Sequence, residues 1–315
     1  MTSQTKPERV QLGATDISVP PMGVGTWAWG DRWIWGYGGG DYTDRDLREA
    51  FDASIGAGLT FFDTAEMYGL GRSEKLLGRF IAQDNARPVV ATKFVPFPWR
   101  LTKGALLRAL RASLDRLGLD RVDLYQIHVP LHLRSIETWM DAMADAVEAG
   151  LTRAVGVSNY TMAQMGRAHN ALNKRDIVLA SNQVHYSLLH REPETDGVLQ
   201  LCRDLGVTLI AYSPLEMGVL TGKYTPENPP PRTRRLRYPP TYLESVQPLL
   251  SRMREIGENH GGRTPAQVAL NWTICKGAVP IPGAKTPAHV TSNAKALGWR
   301  LTPDEVAELD ELSRI

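Results

Sequence analysis

LTFFDTAEMYGLGRSEKLLGRFIAQDNARPVVATKFVPFPWRLTKGALLRALRASLDRLGLDRVDLYQIH, residues 59–128, alternates short apolar runs with longer amphipathic ones. The runs LTFFD (59–63), PVVATK (88–93) and VDLYQIH (122–128) are short and rich in β-branched and aromatic residues, which predicts strands. Between them, SEKLLGRFIAQ and KGALLRALRASLDRLG repeat apolar residues at the spacing of a helix with one buried face. Parallel strands need a crossover of about a dozen residues or more, and the helices supply it. Two successive βαβ units are therefore expected here.

The same alternation continues in both directions. Further strand-like runs are PMGVGT (21–26), TRAVGVS (152–158), DIVLASNQ (176–183), VTLIAY (207–212) and AVPIPG (278–283). Helical patterns such as DRDLREAFDASIGAG, SIETWMDAMADAVEAG, TDGVLQLCRDLG and PAQVALNWTICKG separate them, many closed by the glycine or asparagine that stops a helix. Eight strands alternating with eight helices predict an α/β fold of the (β/α)8 TIM barrel type. Strand ends fall near 63, 93, 128, 158, 183 and 212, but the next lies near 283, so an extended loop follows strand 7. That excursion carries NPPPRTRRLRYPP (228–240) and a helical stretch near 241–258. A doubly wound sheet would carry a glycine fingerprint after its first strand, whereas GVGTWAWG offers Gly23 and Gly25 without the third glycine. VQLGATDISV predicts an N-terminal β-hairpin capping the barrel floor, and LTPDEVAELDELS a last helix outside the repeat. No boundary divides the chain, and residues 1–315 are expected to form one domain.

Composition limits the function classes. The 315 residues are 43% hydrophobic and 22% charged, as in a globular protein with a core rather than a disordered or fibrous one. A net charge of +2 gives no field to recruit nucleic acid or anionic lipid, so PRTRRLR (231–237) reads as a solvated lid. Cys202 and Cys275 show neither paired nor metal-type spacing and sit within helical patterns, as buried thiols in a reducing compartment do. The opening MTSQTKPERVQLGATDIS has no apolar stretch of signal-peptide type, and no run of about 18 apolar residues would span a bilayer. A cytoplasmic protein without membrane or nucleic-acid partners is expected. Nothing in the sequence reports oligomeric state.

In a barrel, the C-terminal ends of the strands point into the active-site mouth. Here they end in Asp63, Lys93, His128, Ser158–Asn159, Gln183 and Tyr212. One such residue is ordinarily a cap or a surface group; six on successive strands make a ring. Tyr68 follows Asp63 by five residues. A free tyrosine titrates near ~10, a nearby ammonium lowers that value, and a carboxylate compensates the buried lysine. A neutral imidazole can orient a carbonyl. Asp, Tyr, Lys and His together suit a proton donor for an alkoxide formed by hydride transfer. No metal is expected: there is no H-x-H and no carboxylate cluster, and Pro130 interrupts any helix joining His128 to His132.

These residues lie in motifs. FFDTAEMYGLGRSEKLLG, the lysine of VVATKF, the histidine of DLYQIH, VGVSNY, AYSPL with LTGKY, and IPGAKTPAHVTSN closely resemble the aldo-keto reductases, in order and across essentially the whole chain. GTWAWG, FPWRLT, NWTICKGAVPIPG and ALGWRLT most resemble the plant and cyanobacterial pyridoxal reductase-like branch. The resemblance implies a catalytic tetrad of Asp63, Tyr68, Lys93 and His128, with Tyr68 the general acid, Lys93 and Asp63 tuning it, and His128 positioning the carbonyl. It implies NADP(H) as cofactor, with Thr26, Trp27 and Asp63 beside it. Ser158, Asn159 and Gln183 fall on the carboxamide, and Tyr212 stacks on the ring. Ser213, Leu215 and Lys223 fall along the pyrophosphate, Gly283 on the cofactor, and Lys285, His289 and Asn293 around the 2′-phosphate. Many relatives have arginine where His289 stands and glutamate where Ser292 stands, which weakens phosphate selection and leaves NAD(H) as the lesser alternative. Trp29, Trp33, Trp35 and Trp99, in loops after the first and third strands, are expected to wall a substrate pocket. The expected substrate is a small-molecule carbonyl: an aromatic or small reactive aldehyde, pyridoxal and methylglyoxal among them. The rival reading is a non-catalytic regulatory subunit resembling the potassium-channel β subunits, which bind the same cofactor.

Overall fold

The structure is a computed structural model that describes residues 8–40, 42–131, 133–231 and 234–315. His132, Asp41, and Arg232 and Thr233 of the 228–240 segment lie outside the described residues. A short hairpin, β1 (Val10–Gln11) and β2 (Ser18–Val19), precedes eight parallel strands. These are β3 (Val24–Gly25), β4 (Phe61–Asp63), β5 (Val89–Phe94), β6 (Val122–Ile127), β7 (Thr152–Ser158), β8 (Leu179–His185), β9 (Thr208–Tyr212) and β10 (Val279–Pro280). Each strand pairs with its sequence neighbour. Gly23 N–H donates to the Pro280 carbonyl at 3.0 Å, and Gly25 N–H to that of Pro282 at 3.1 Å, which closes the barrel. The seam needs glycine: a Cβ on Gly25 would stand 2.7 Å from the Ile281 carbonyl oxygen.

Helices α1 (Asp44–Gly56), α2 (Arg72–Asp84), α3 (Lys103–Leu117), α4 (Ile136–Glu148) and α5 (Met162–Asn173) cover the first strands. Within TDGVLQLCRDLG (195–206) the expected helix is α7 (Val198–Asp204), which starts after Gly197, left-handed at φ 80°; a short α6 (Glu192–Thr195) precedes it. The excursion after β9 holds a 3-10 turn (Glu216–Thr221), α8 (Arg234–Arg237) and α9 (Pro240–Asn259). After α10 (Pro265–Cys275), α11 (Pro287–Ala294) follows β10, and α12 (Pro303–Leu312) lies outside the repeat, tied to α9 by Arg252 and Glu308. Threonine caps open α1, α5, α10 and α12, each with its partner three residues on.

The period of two along a strand divides the molecule into two cores. Phe61, Ala91, Leu124, Ala154, Ala180, Ile210 and Val279 point into the barrel, where hairpin residues Leu12, Ile17 and Val19 plug the floor. Phe62, Val90, Tyr125 and Val155 point outward into the larger core under the helices. Two residues further along β4, β5 and β6 the inward position becomes Asp63, Lys93 and Gln126. The apolar interior thus ends in a polar layer at the C-terminal mouth.

Candidate active site

Lys93 is fully buried, and its ammonium uses all three protons. It donates to Asp63 Oδ1, to the Thr64 carbonyl at 2.9 Å and to the Tyr68 hydroxyl at 3.3 Å. Asp63 Oδ2 accepts from Gln183 Nε2 at 2.8 Å and Gln126 Nε2 at 3.3 Å. A buried ion pair is tolerated when its remaining hydrogen-bonding capacity is met in this way. Tyr68 opens a 3-10 turn (Tyr68–Gly71) in which Gly69 and Leu70 both have φ of 56°, a conformation costly for leucine. Tyr68 N–H donates to the Ala65 carbonyl at 3.0 Å. His128 follows β6, its N–H on the Phe94 carbonyl at 2.8 Å and its ring edge-on to Tyr68, with centroids 5.7 Å apart.

The electrostatics correct one expectation. Burial raises the Tyr68 phenol above its ordinary value, and the opposing pull of Lys93 does not cancel it. The phenol therefore holds its proton at neutral pH. Burial is the largest influence and works against the Lys93 ammonium, but the charges and hydrogen bonds of Asp63 and Tyr68 together outweigh it, and the lysine stays above its ordinary value. His128 is pushed down to about 3 by burial and by Lys93, so the imidazole is neutral, and its buried Nδ1 has no hydrogen-bond partner among the described residues. Because Lys93 donates to the phenol oxygen, the hydroxyl hydrogen of Tyr68 is directed elsewhere. The site offers a neutral acid next to a neutral imidazole.

Around this cluster the mouth gathers Ser158, Asn159, Gln183 and Tyr212. The Ser158 hydroxyl donates to the Gln183 carbonyl at 2.8 Å. Asn159, left-handed at φ 61°, donates to the His128 carbonyl at 3.2 Å and accepts from the Tyr212 hydroxyl at 3.0 Å. Gln183 is buried, with its amide nitrogen turned to Asp63. Thr26 is also buried, and its hydroxyl is spent on the Asp63 carbonyl at 2.9 Å and Ser73 at 2.8 Å, so its side chain joins β3 to β4 and α2. Ser213 is left-handed at φ 51°, Leu215 packs on the outer core, and Gly283 is exposed beside the seam, bridged to Gly25. At the start of α11, His289 Nδ1 meets the Lys285 N–H at 3.4 Å and the Thr286 hydroxyl at 3.2 Å, and Asn293 is buried. Burial, Lys285 and Lys223 together lower the His289 pKa, which marks a positive potential at this helix start. Two cations and backbone N–H groups at a helix N-terminus are a donor set for phosphate, and hydroxyl and amide groups at the mouth are one for a carboxamide. The residues present fit a nicotinamide dinucleotide.

The loop tryptophans take separate places. Trp29 does not wall a pocket: it is fully buried in the outer core, edge-on to Phe62 and Phe80, with its indole N–H on the Ala284 carbonyl at 2.9 Å. Trp27 stands nearest the tetrad, 6.5 Å from the Tyr68 ring and edge-on to Trp35 at 5.6 Å. Lys285 and Arg234 both lie over Trp35, at 5.6 and 5.1 Å. Trp33 is 88% exposed, and Trp99, stacked on Phe97 at 4.7 Å, is 74% exposed. Sequence reasoning passed over Gln126, which completes Asp63. Its position two residues before His128, on the inward face of β6, was the available signal. It also passed over His185, Glu216 and Tyr238, whose meeting beside Tyr212 leaves no local trace in the sequence.

The fold is an eight-stranded parallel barrel of the (β/α)8 class, with an Asp–Tyr–Lys–His cluster at its mouth and a positively charged helix start beside it. Residues 21–314 match the model of the Aldo/keto reductase family, and the chain belongs to that family. It is 44% identical to the chloroplastic pyridoxal reductase of Arabidopsis thaliana over 96% of this chain and 85% of that protein, which supports the pyridoxal reductase-like branch. An uncharacterized oxidoreductase of Mycobacterium tuberculosis is 37% identical over 94% of this chain and 90% of its own. Among solved structures, a thermostable aldo-keto reductase in complex with the inhibitor epalrestat superposes with a TM-score of 0.76 at 32% identity, covering 97% of this chain and 99% of that one. The glycerol dehydrogenase of Gluconobacter oxydans gives 0.83 at 26% identity over 98% and 95%. Among the described residues, no helix is long and apolar enough to cross a membrane.

Proposed function

We propose that the chain is an NADPH-dependent reductase of aldehydes, with aromatic aldehydes such as pyridoxal preferred and small reactive carbonyls such as methylglyoxal also accepted. The observation that carries this reading is the Lys93–Tyr68 contact at 3.3 Å: the ammonium donates to the phenol oxygen and leaves the phenolic proton for a ligand. When bound, the reduced nicotinamide supplies a hydride to the carbonyl carbon. Tyr68 protonates the carbonyl oxygen as charge develops on it, and Lys93 stabilises the tyrosinate that remains. Asp63, held by Gln126 and Gln183, keeps the lysine charged and in place. His128, neutral and beside Tyr68, orients the carbonyl.

Ser158, Asn159 and Gln183 suit the carboxamide, and Tyr212 offers an aromatic face to the ring. Ser213, Leu215 and Lys223 line the path toward α11, where Lys285, with His289, favours the 2′-phosphate. NADPH is favoured through Lys285, and NADH is retained as the lesser cofactor because a neutral histidine in place of a permanent charge weakens selection for the phosphate. Trp27 and Trp35 are the aromatic wall nearest Tyr68. The two free cysteines support a reducing, cytoplasmic setting. The test is cofactor oxidation with pyridoxal, methylglyoxal, nitrobenzaldehydes and simple ketones. Aldehyde-dependent consumption of NADPH is expected. Tight cofactor binding with no turnover on any carbonyl would favour the regulatory-subunit reading instead.

A further inference from the structure

The segment after Tyr212 contains a carboxylate that the proposed chemistry does not use. Glu216 is 3% exposed, and Glu216, Met217 and Gly218 take left-handed φ values of 46°, 50° and 102° in succession. Side-chain residues stay in that region only where their surroundings impose it. Here the surroundings are four groups converging on one carboxylate. His185 Nε2 pairs with Oε1, and the Ser187 hydroxyl donates to the same oxygen at 2.8 Å. The Tyr238 hydroxyl donates to Oε2 at 2.9 Å, and Arg237 approaches Oε2 at 3.9 Å. Hydrogen bonds from these partners keep the buried carboxylate ionised, below its ordinary range despite the burial.

The partners of Glu216 reach two places that matter. His185 stacks almost parallel on the Tyr212 ring, with centroids 5.3 Å apart at 13°, and its other face is covered by His190 at 3.7 Å and 15°. His190 is paired in turn with Glu192 at 3.2 Å. The plane of Tyr212 is thus set by a ring that Glu216 holds. Tyr238 lies just beyond α8, whose Arg234 donates to the Met217 carbonyl at 3.3 Å and covers Trp35 in the loop after β3. In barrel order β10 lies between β9 and β3. The 234–238 segment therefore bridges the loops on either side of β10 and passes beside Lys285, which shares the Trp35 ring.

We propose that Glu216 is a positioning residue that couples two parts of the cofactor site: through His185 it fixes the face Tyr212 presents to the nicotinamide, and through Tyr238 it ties down the 234–238 segment beside the phosphate end. The inference rests on the cofactor reading above. It makes ring seating and retention of the dinucleotide one event.

The experiment measures NADPH dissociation by stopped flow, following tryptophan quenching and the emission of the bound nicotinamide, for wild type, Tyr238→Phe, Glu216→Gln and the double variant. Tyr238→Phe is expected to speed dissociation roughly tenfold, the scale of one hydrogen bond to a buried charge. The cofactor-free melting temperature should move little. Glu216→Gln should do the same and also shift the bound nicotinamide emission, because Tyr212 loses its fixed plane. The double variant should be no worse than Glu216→Gln alone, since both changes break one unit. Should Glu216→Gln fail to fold, His185→Gln replaces it with the same expectations. Dissociation and emission unchanged in the single variants, or losses that simply add, would overturn the coupling. A wild type that binds neither NADPH nor NADH removes the cofactor reading and the coupling with it; a wild type that binds, with unaltered variants, removes only the coupling.

Discussion

The polar layer inside the barrel and the aromatic loops above it are built from similar numbers of large side chains but on opposite terms. Asp63, Lys93, Gln126 and Gln183 sit on strands, buried to 1% exposure or less, and each hydrogen-bonds to another member. Their positions follow from strand register. The loop tryptophans have no such register: Trp29 is in the core, Trp27 and Trp35 stand near Tyr68, and Trp33 and Trp99 face solvent. Strand residues are placed by a repeating hydrogen-bond ladder, whereas loop residues are placed by whichever groove their path crosses. Chemistry is accordingly assigned to the first region and discrimination between ligands to the second.

The sharpest way to break this division is at Tyr68, the loop residue that the polar layer holds through Lys93. Tyr68→Phe should lower kcat by roughly 10²-fold or more, the scale of general acid catalysis, while NADPH affinity measured by fluorescence titration stays near wild type. Near wild-type turnover on an aldehyde would remove Tyr68 as the acid. The same assignment fixes a pH profile. An acid must be protonated to work, and burial raises this phenol above its ordinary value of about 10. The rate of reduction should therefore stay level through neutral pH on account of Tyr68 and fall only as pH rises past about 10. Loss of kcat/KM between neutrality and mild alkali, absent in Tyr68→Phe, would contradict the direction found here.

Trp29→Ala tests whether the loops divide as described. Emptying a fully buried tryptophan site costs about 3–5 kcal/mol, so denaturation should shift strongly while the ratio of rates for pyridoxal and methylglyoxal does not. Lys285→Ala should weaken NADPH binding about tenfold, the size of a charge–phosphate contact of ~1–2 kcal/mol, and NADH much less. Equal losses for both cofactors would shift the phosphate assignment to an arginine of the 232–237 stretch. The smallest effects belong to the rim. An aromatic pair contributes about 0.5–1.5 kcal/mol beyond its area, so Trp35→Ala should cut kcat/KM for aromatic aldehydes several-fold more than for methylglyoxal. The exposed Trp33→Ala should change neither measurably. Identical losses for the two substrate types in Trp35→Ala would reduce that ring to a support for Arg234 and Lys285.

The sequence by itself determined the barrel, its hairpin floor, the long excursion after the seventh barrel strand, and the strand-end ring of Asp63, Lys93 and His128. These depend on periods of 2 and 3.6 residues and on spacing along the chain, which are local quantities. Even Gln126 was within its reach, because it shares the inward face of β6 with Leu124. Tertiary structure alone decided the rest. The direction of the Tyr68 shift depends on how deeply the phenol is buried, a balance of desolvation against one ammonium that no spacing reveals. The separation of α7 from the short α6 before it turned on Gly197 adopting a left-handed φ. The loop tryptophans look alike in sequence, yet packing sent Trp29 to the core and Trp33 to solvent. Glu216 meets His185 across 31 residues and Tyr238 across 22, along a backbone that turns through three left-handed residues. Such a meeting is set by how loops close over the barrel, because a side chain's partners are fixed by three-dimensional proximity and not by its order in the chain.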